Sequence, residues 1–111
     1  MRVLLVDDDA AALNIRQLIL ERHGHAVTIA TDVAGALAMF RAAKPEVIVM
    51  DLRLPEIEDG LTLIREFRSV RIVVLAGNRA DLDGRPEAAL VDQILGKPTR
   101  SEILLNAITP P

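Results

Sequence analysis

The sequence predicts an α/β protein, a doubly wound parallel sheet of five strands covered by helices. Three observations predict it. Short runs of Val, Leu and Ile alternate with longer amphipathic segments along the whole chain. That alternation is expected of βαβ units with right-handed crossovers. Several of the short runs are apolar at every position, and strands of that kind are buried on both faces. Carboxylates follow the first and third runs, at the carboxyl edge where open parallel sheets place their ligands.

The elements follow in order. Arg2 to Val6 reads as a buried strand that stops at Asp7, Asp8 and Asp9. Ala11, Ile15, Leu18 and Ile19 then recur at helical spacing, with Arg16, Gln17 and Glu21 between them. That helix ends near His23-Gly24, with the glycine as its stop. Ala26 to Ala30 is a second strand. Thr31 or Asp32 caps a second helix, which carries Val33, Leu37 and Phe40 on one face and ends before Pro45.

Val47 to Met50 is a third strand, closed by Asp51. A loop from Leu52 to Asp59 contains Pro55, and a third helix is expected over Gly60 to Arg68, with Leu61, Ile64 and Phe67 inward. Arg71 to Leu75 is a fourth strand. Asn78 to Pro86 is weakly patterned, and a short helix is expected from Pro86 to Val91. Gln93 to Leu95 is a fifth strand. Thr99 to Glu102 has the capping-box pattern, a hydroxyl with Glu three residues on, and opens a last helix carrying Ile103, Leu104 and Ala107.

Composition narrows the function. The chain has 111 residues, enough for one domain, and half of it (50%) is hydrophobic. Aromatic content is only 2%, so the core is aliphatic and base-stacking nucleic-acid binding is disfavoured. A net charge of -3 gives no general attraction to phosphate backbones or anionic membranes. Zero Cys removes disulfides and cysteine chemistry. No run approaches the ~20 apolar residues of a membrane helix, and the apolar start is too short for a signal peptide. A cytoplasmic location is expected, with a single domain over residues 1–111.

The acids at the strand ends carry the functional signal. If the first and third strands are neighbours, Asp7, Asp8, Asp9 and Asp51 crowd together, with Lys97 opposite. That charge is costly without a cation, and oxygen donors alone suit a hard ion such as Mg²⁺. Each acid also has a plainer reading. Asp9, and less strongly Asp8, fits as a helix N-cap. Asp51 precedes a loop, so capping explains it less well. Lys97 could be an ordinary surface lysine. His23 and His25 flank a helix-terminating glycine and read as surface residues rather than metal ligands.

Over nearly its whole length the chain resembles the receiver domains of two-component response regulators. The resemblance rests on Leu4-Leu5-Val6-Asp7-Asp8-Asp9, Val49-Met50-Asp51-Leu52-Arg53-Leu54-Pro55, Asp59-Gly60 and Gly96-Lys97-Pro98. It implies a flavodoxin-like (βα)5 sheet of strand order 2-1-3-4-5. It further implies that Asp51 accepts a phosphoryl group from a histidine kinase or histidine phosphotransfer protein, forming an acyl phosphate. Asp7, Asp8, Asp51 and the backbone carbonyl of Arg53 would hold Mg²⁺, Asp7 partly through water. Lys97 would contact the phosphoryl group, as would the backbone at Arg53 and Gly77. A cis peptide before Pro98 would aim Lys97 into the site.

Two switch positions depart from the family pattern. The Ser or Thr expected at the end of the fourth strand is Ala76, and the Tyr or Phe expected three residues before the lysine is Ile94. The loop from Pro55 to Gly60 is one residue longer than the family spacing, and Asn78 to Val91 is unusually polar. The phosphorylation chemistry is therefore expected to be intact and its coupling to output weak or unconventional.

The resemblance implies no classical enzyme, at most self-catalysed phosphoryl transfer and slow autodephosphorylation. Beyond the kinase, expected partners are a downstream protein or an output domain outside this chain. A homodimer could form through the Pro86 to Val91 segment and the fifth strand; direct nucleic-acid or membrane binding is not expected. One alternative is a degenerate receiver that serves as a phosphorylation-independent interaction module. Another is a Mg²⁺-dependent phosphohydrolase of the haloacid dehalogenase type, which Asp7-x-Asp9 formally matches. No later acidic pair supports it.

Overall fold

The computed structural model describes residues 1–110. Five parallel strands form one sheet: β1 (Arg2–Val6), β2 (Ala26–Ala30), β3 (Val47–Asp51), β4 (Arg71–Ala76) and β5 (Gln93–Gly96), in the order β2-β1-β3-β4-β5. The expected strand order therefore holds. Four α-helices cover the sheet: α1 (Ala10–Arg22), α2 (Val33–Ala43), α3 (Ile57–Glu66) and α4 (Ser101–Ile108).

Alternation along the strands divides the core in two. Leu4, Val6, Ile48, Met50, Ile72 and Val74 face α2 and α3, where Ala36, Leu61, Ile64 and Phe67 meet them. Val3, Leu5, Val47, Val49, Val73 and Leu75 face the other way, onto Leu13 and Leu20 of α1 and Leu104, Ala107 and Ile108 of α4. The two phenylalanines stack on each other within the first layer, with ring centroids 4.5 Å apart. Aliphatic side chains supply the rest, as the composition requires.

The local signals are obeyed at several ends. Asp32, not Thr31, caps α2 by accepting from the Gly35 amide. The helix closes at Lys44, left-handed at φ 48°, immediately before Pro45. Gly24 follows α1 at φ 87°, a conformation that glycine adopts without a Cβ penalty.

Four expectations need correction. α3 begins at Ile57, three residues before Gly60, because Glu56 and Asp59 form a reciprocal capping box that recruits part of the predicted loop. Thr99 opens no capping box; its hydroxyl donates to the Gly96 carbonyl at 2.6 Å, and α4 starts after Arg100 without a side-chain cap. The single short helix expected at Pro86 to Val91 is a 3-10 turn over Pro86–Leu90, preceded by another over Arg79–Leu82. Gly84 at φ 74° separates them, and Pro86 lacks the amide that a continuous helix would use. Last, the apolar spacing chosen for α1 marks its outer side, since Ile15 is 62% and Leu18 53% exposed. Leu13 and Leu20 face inward instead.

Candidate functional site

The site lies at the carboxyl edge of the three central strands. β1 delivers Asp7 and Asp8 at its end, and β3 terminates in Asp51. β1 and β3 pair directly, Val6 opposite Met50, so the two acidic ends meet. One carboxylate oxygen from each of Asp7, Asp8 and Asp51 lies within 4.8 Å of the others. Asp7 is 1% exposed and Asp51 9%, whereas Asp8 faces solvent.

Lys97 reaches this cluster from the residue after β5. Its Nζ donates to Asp51 Oδ2 at 2.7 Å and lies 3.8 Å from Asp7 Oδ2. The Lys97 amide donates to the Ala76 carbonyl at 3.0 Å, and the Lys97-Pro98 peptide is cis, as the resemblance implied. A second cis peptide joins Leu54 to Pro55 in the loop beside Asp51. In that loop the Arg53 amide donates to Asp51 Oδ1 at 3.4 Å, while the Arg53 guanidinium turns away to Asp81 at 3.3 Å.

Asp9 takes no part in the cluster. Its carboxylate accepts from the Ala11 and Ala12 amides and caps α1. The capping alternative for Asp8 is not met, because Asp9 holds that position. His23 and His25 stay outside the site. His23 Nδ1 is 2.9 Å from the Ile19 carbonyl, and His25 Nδ1 is 3.1 Å from the N-terminal amine.

One cation escaped the sequence reading. Arg16 Nη1 donates to Asp7 Oδ2 at 2.8 Å. In the sequence Arg16 is only a polar spacer, and spacing alone does not show which face of α1 meets Asp7.

These contacts shape the electrostatics. Burial works to raise the Asp7 carboxyl, but the hydrogen bonds from Arg16 and the Asp9 amide and the Lys97 charge outweigh it, holding Asp7 below its ordinary 3.8. Asp8 moves the other way, above 3.8, through partial desolvation and the charges of Asp7 and Asp51. A carboxyl raised by like charges marks a place where a cation is favoured. The donors are all oxygen, which suits a hard ion such as Mg²⁺ and disfavours a soft metal.

Ala76 and Ile94 occupy the positions named above. Ala76 ends β4, is 2% exposed and offers no side-chain donor. Ile94 is half-buried and packs on the α2–α3 side of the core. Gly77 is exposed, and a β-carbon built on it would meet nothing within 4 Å. Gly60 is the opposite case: a β-carbon there would overlap the carbonyl oxygen of Leu52, the residue after Asp51.

The chain is similar to several known proteins. The family model for the response regulator receiver domain matches residues 3–109. Transcriptional regulatory protein CseB of Streptomyces coelicolor is 41% identical over 81 residues, covering 71% of this chain and 34% of that protein. Response regulator MprA of Mycobacterium leprae is 34% identical over 113 residues, covering 97% of this chain and 49% of that protein. A crystal structure of a response regulator from Burkholderia pseudomallei, described with a phosphorylated aspartic acid, a calcium ion and citrate, superposes with a TM-score of 0.86. It is 31% identical, over 97% of this chain and 66% of that one. The chain spans between about a third and a half of the curated relatives named. With an acidic cluster and a lysine on a 2-1-3-4-5 sheet and a family match from residue 3 to 109, the chain belongs to the response regulator receiver domains of two-component signalling.

Proposed function

We propose that this domain is a phosphoacceptor: Asp51 takes a phosphoryl group from a histidine kinase or histidine phosphotransfer protein, with Mg²⁺ bound. The observation that carries the proposal is the Asp51 carboxylate at the end of β3, held 2.7 Å from Lys97 Nζ and beside Asp7 and Asp8. A carboxylate oxygen of Asp51 attacks the phosphorus of the donor phosphohistidine. A P–O bond forms, the P–N bond breaks, and the imidazole nitrogen keeps the electron pair.

Asp8, Asp51 and the Arg53 carbonyl are the residues that would hold the ion directly, with Asp7 acting through water. When bound there, the ion would supply charge neutralisation for the phosphoryl oxygens. Lys97 turns from the carboxylate to a phosphoryl oxygen after transfer, and the Gly77 amide is the backbone donor assigned to a second phosphoryl oxygen. The output is regulatory rather than metabolic: a downstream protein or output domain reads the modified face. Among the described residues no helix is long and apolar enough to cross a membrane, and we place the domain in the cytoplasm with its phosphodonor.

The test is incubation with acetyl phosphate, with and without Mg²⁺, followed by intact mass. One phosphoryl increment that requires Mg²⁺ and disappears in Asp51→Asn supports the proposal. Ala76 and Ile94 favour a second reading, a phosphorylation-independent interaction module. Failure to take up phosphate under either condition selects that reading.

A further inference from the structure

We propose that Arg16 is a positioning residue, a built-in counter-cation for Asp7 that sets how tightly the site holds its divalent ion. This rests on the reading of the site as a Mg²⁺-dependent phosphoacceptor.

The orientation of α1 places Arg16 against the site. Leu13 and Leu20 lie seven residues apart and both are buried. Arg16 falls between them on the same side of the helix, with its side chain only 20% exposed. A guanidinium in that place is costly unless it is paired. Its partner is Asp7, whose side chain is 1% exposed, at 2.8 Å.

The pairing decides what Asp7 can offer. Its Oδ1 accepts the Asp9 amide at 2.9 Å, and its Oδ2 accepts Arg16. Both oxygens are engaged by the protein. Lys97 is farther from Asp7, at 3.8 Å, than from Asp51, at 2.7 Å. Lys97 therefore hydrogen-bonds Asp51 and reaches Asp7 only through its charge, while Arg16 hydrogen-bonds Asp7 directly. Three carboxylates against these two cations leave the cluster with one net negative charge.

Asp7 acts on a bound ion mainly through its field and through water, while exposed Asp8 supplies the free carboxylate. Arg16 also opposes the ion's charge directly and so keeps its affinity low. When Lys97 moves to a phosphoryl oxygen, Arg16 still compensates Asp7, and the buried carboxylate is never left alone. A cleft of about 540 Å³ between α1 and the start of α4, lined by Arg16, Ala12, Ile15, Lys97 and Leu104, gives a replacement side chain room without disturbing the sheet.

The experiment is a Mg²⁺ titration of the full chain, followed by the backbone amide shifts of Asp8 and Arg53. The chain has no Trp or Tyr to report by fluorescence. Arg16→Met and Arg16→Gln are expected to bind Mg²⁺ about 3- to 10-fold more tightly, through loss of one nearby positive charge. Arg16→Lys should stay close to the unaltered chain. Equal or weaker affinity in folded Met and Gln variants overturns the role of Arg16. Loss of folding in both also overturns it, since Arg16 would then serve stability alone. If the unaltered chain shows no Mg²⁺ response, the reading of the site itself fails, an outcome distinct from unchanged affinities.

Discussion

Gly60 offers a test in which two physical effects have opposite signs. It lies in the first turns of α3 and is buried. Helix propensity alone favours Gly60→Ala by about 1 kcal/mol. The structure opposes it, because the added β-carbon would strike both the carbonyl oxygen and the carbonyl carbon of Leu52. Those are backbone atoms, so no rotamer change relieves the overlap. Overpacking typically costs about 1–3 kcal/mol, and a clash with backbone belongs at the upper end. The net expectation is a loss of about 2 kcal/mol, or a fall in Tm of roughly 8 °C for a domain of this size.

Urea and thermal unfolding measure that loss. Mg²⁺-dependent phosphate uptake should fall with it, because Leu52 follows Asp51 and a displaced Leu52 carbonyl shifts the loop that carries Arg53. A Gly60→Ala variant as stable as the parent, or more so, would mean that α3 does not press on this loop as described. The close approach of helix to loop would then not be what requires glycine here.

Other expectations concern the site and the ends of the fold. Lys97→Gln removes the charge 2.7 Å from Asp51 and should slow phosphate uptake from acetyl phosphate by about 100-fold; an unchanged rate, read by intact mass over time, refutes the role of Lys97. Ala76→Thr adds a hydroxyl at the end of β4 and should enlarge the phosphorylation-dependent amide shifts across Arg79–Leu90. Shifts identical to the parent's would refute the account of a weakened switch. His25 is held below its ordinary 6.5 by burial first, then by the N-terminal ammonium and His23. The unfolded chain therefore takes up the proton more readily, and this contribution to stability is present above about pH 6.5 and lost as pH falls toward the folded value. His25→Gln should flatten that part of the decline in Tm between about pH 7.5 and about pH 5, and an unaltered slope would count against it.

The strands were the most legible part of the chain. Val47 to Met50 and Ile72 to Leu75 are apolar at every position, and both are buried on both faces of the sheet. Such a run has no amphipathic alternative to confuse it. The helices were less legible where two apolar stripes compete. On α1, Ile15 and Leu18 fit helical spacing as well as Leu13 and Leu20 do, yet the sheet accepts only the second pair. The start of α3 was hidden because Glu56 and Asp59 sit in a stretch that Pro55 marks as loop, and their mutual capping requires the backbone to turn first. The Thr99 pattern misled for the converse reason. Its hydroxyl found the Gly96 carbonyl, a partner supplied by the end of β5.

By itself the sequence determined the alternation of strand and helix, the aliphatic core, and the placing of Asp7, Asp8 and Asp51 at strand ends. Those features depend on neighbours along the chain, which periodicity and end signals report directly. The tertiary structure alone decided which oxygen meets which cation. Lys97 reaches Asp51 across 46 positions, and Arg16 reaches Asp7 because the packing of Leu13 and Leu20 rotates α1 that way. Such pairings depend on how the sheet closes and which helix face it buries, and local spacing carries no record of either.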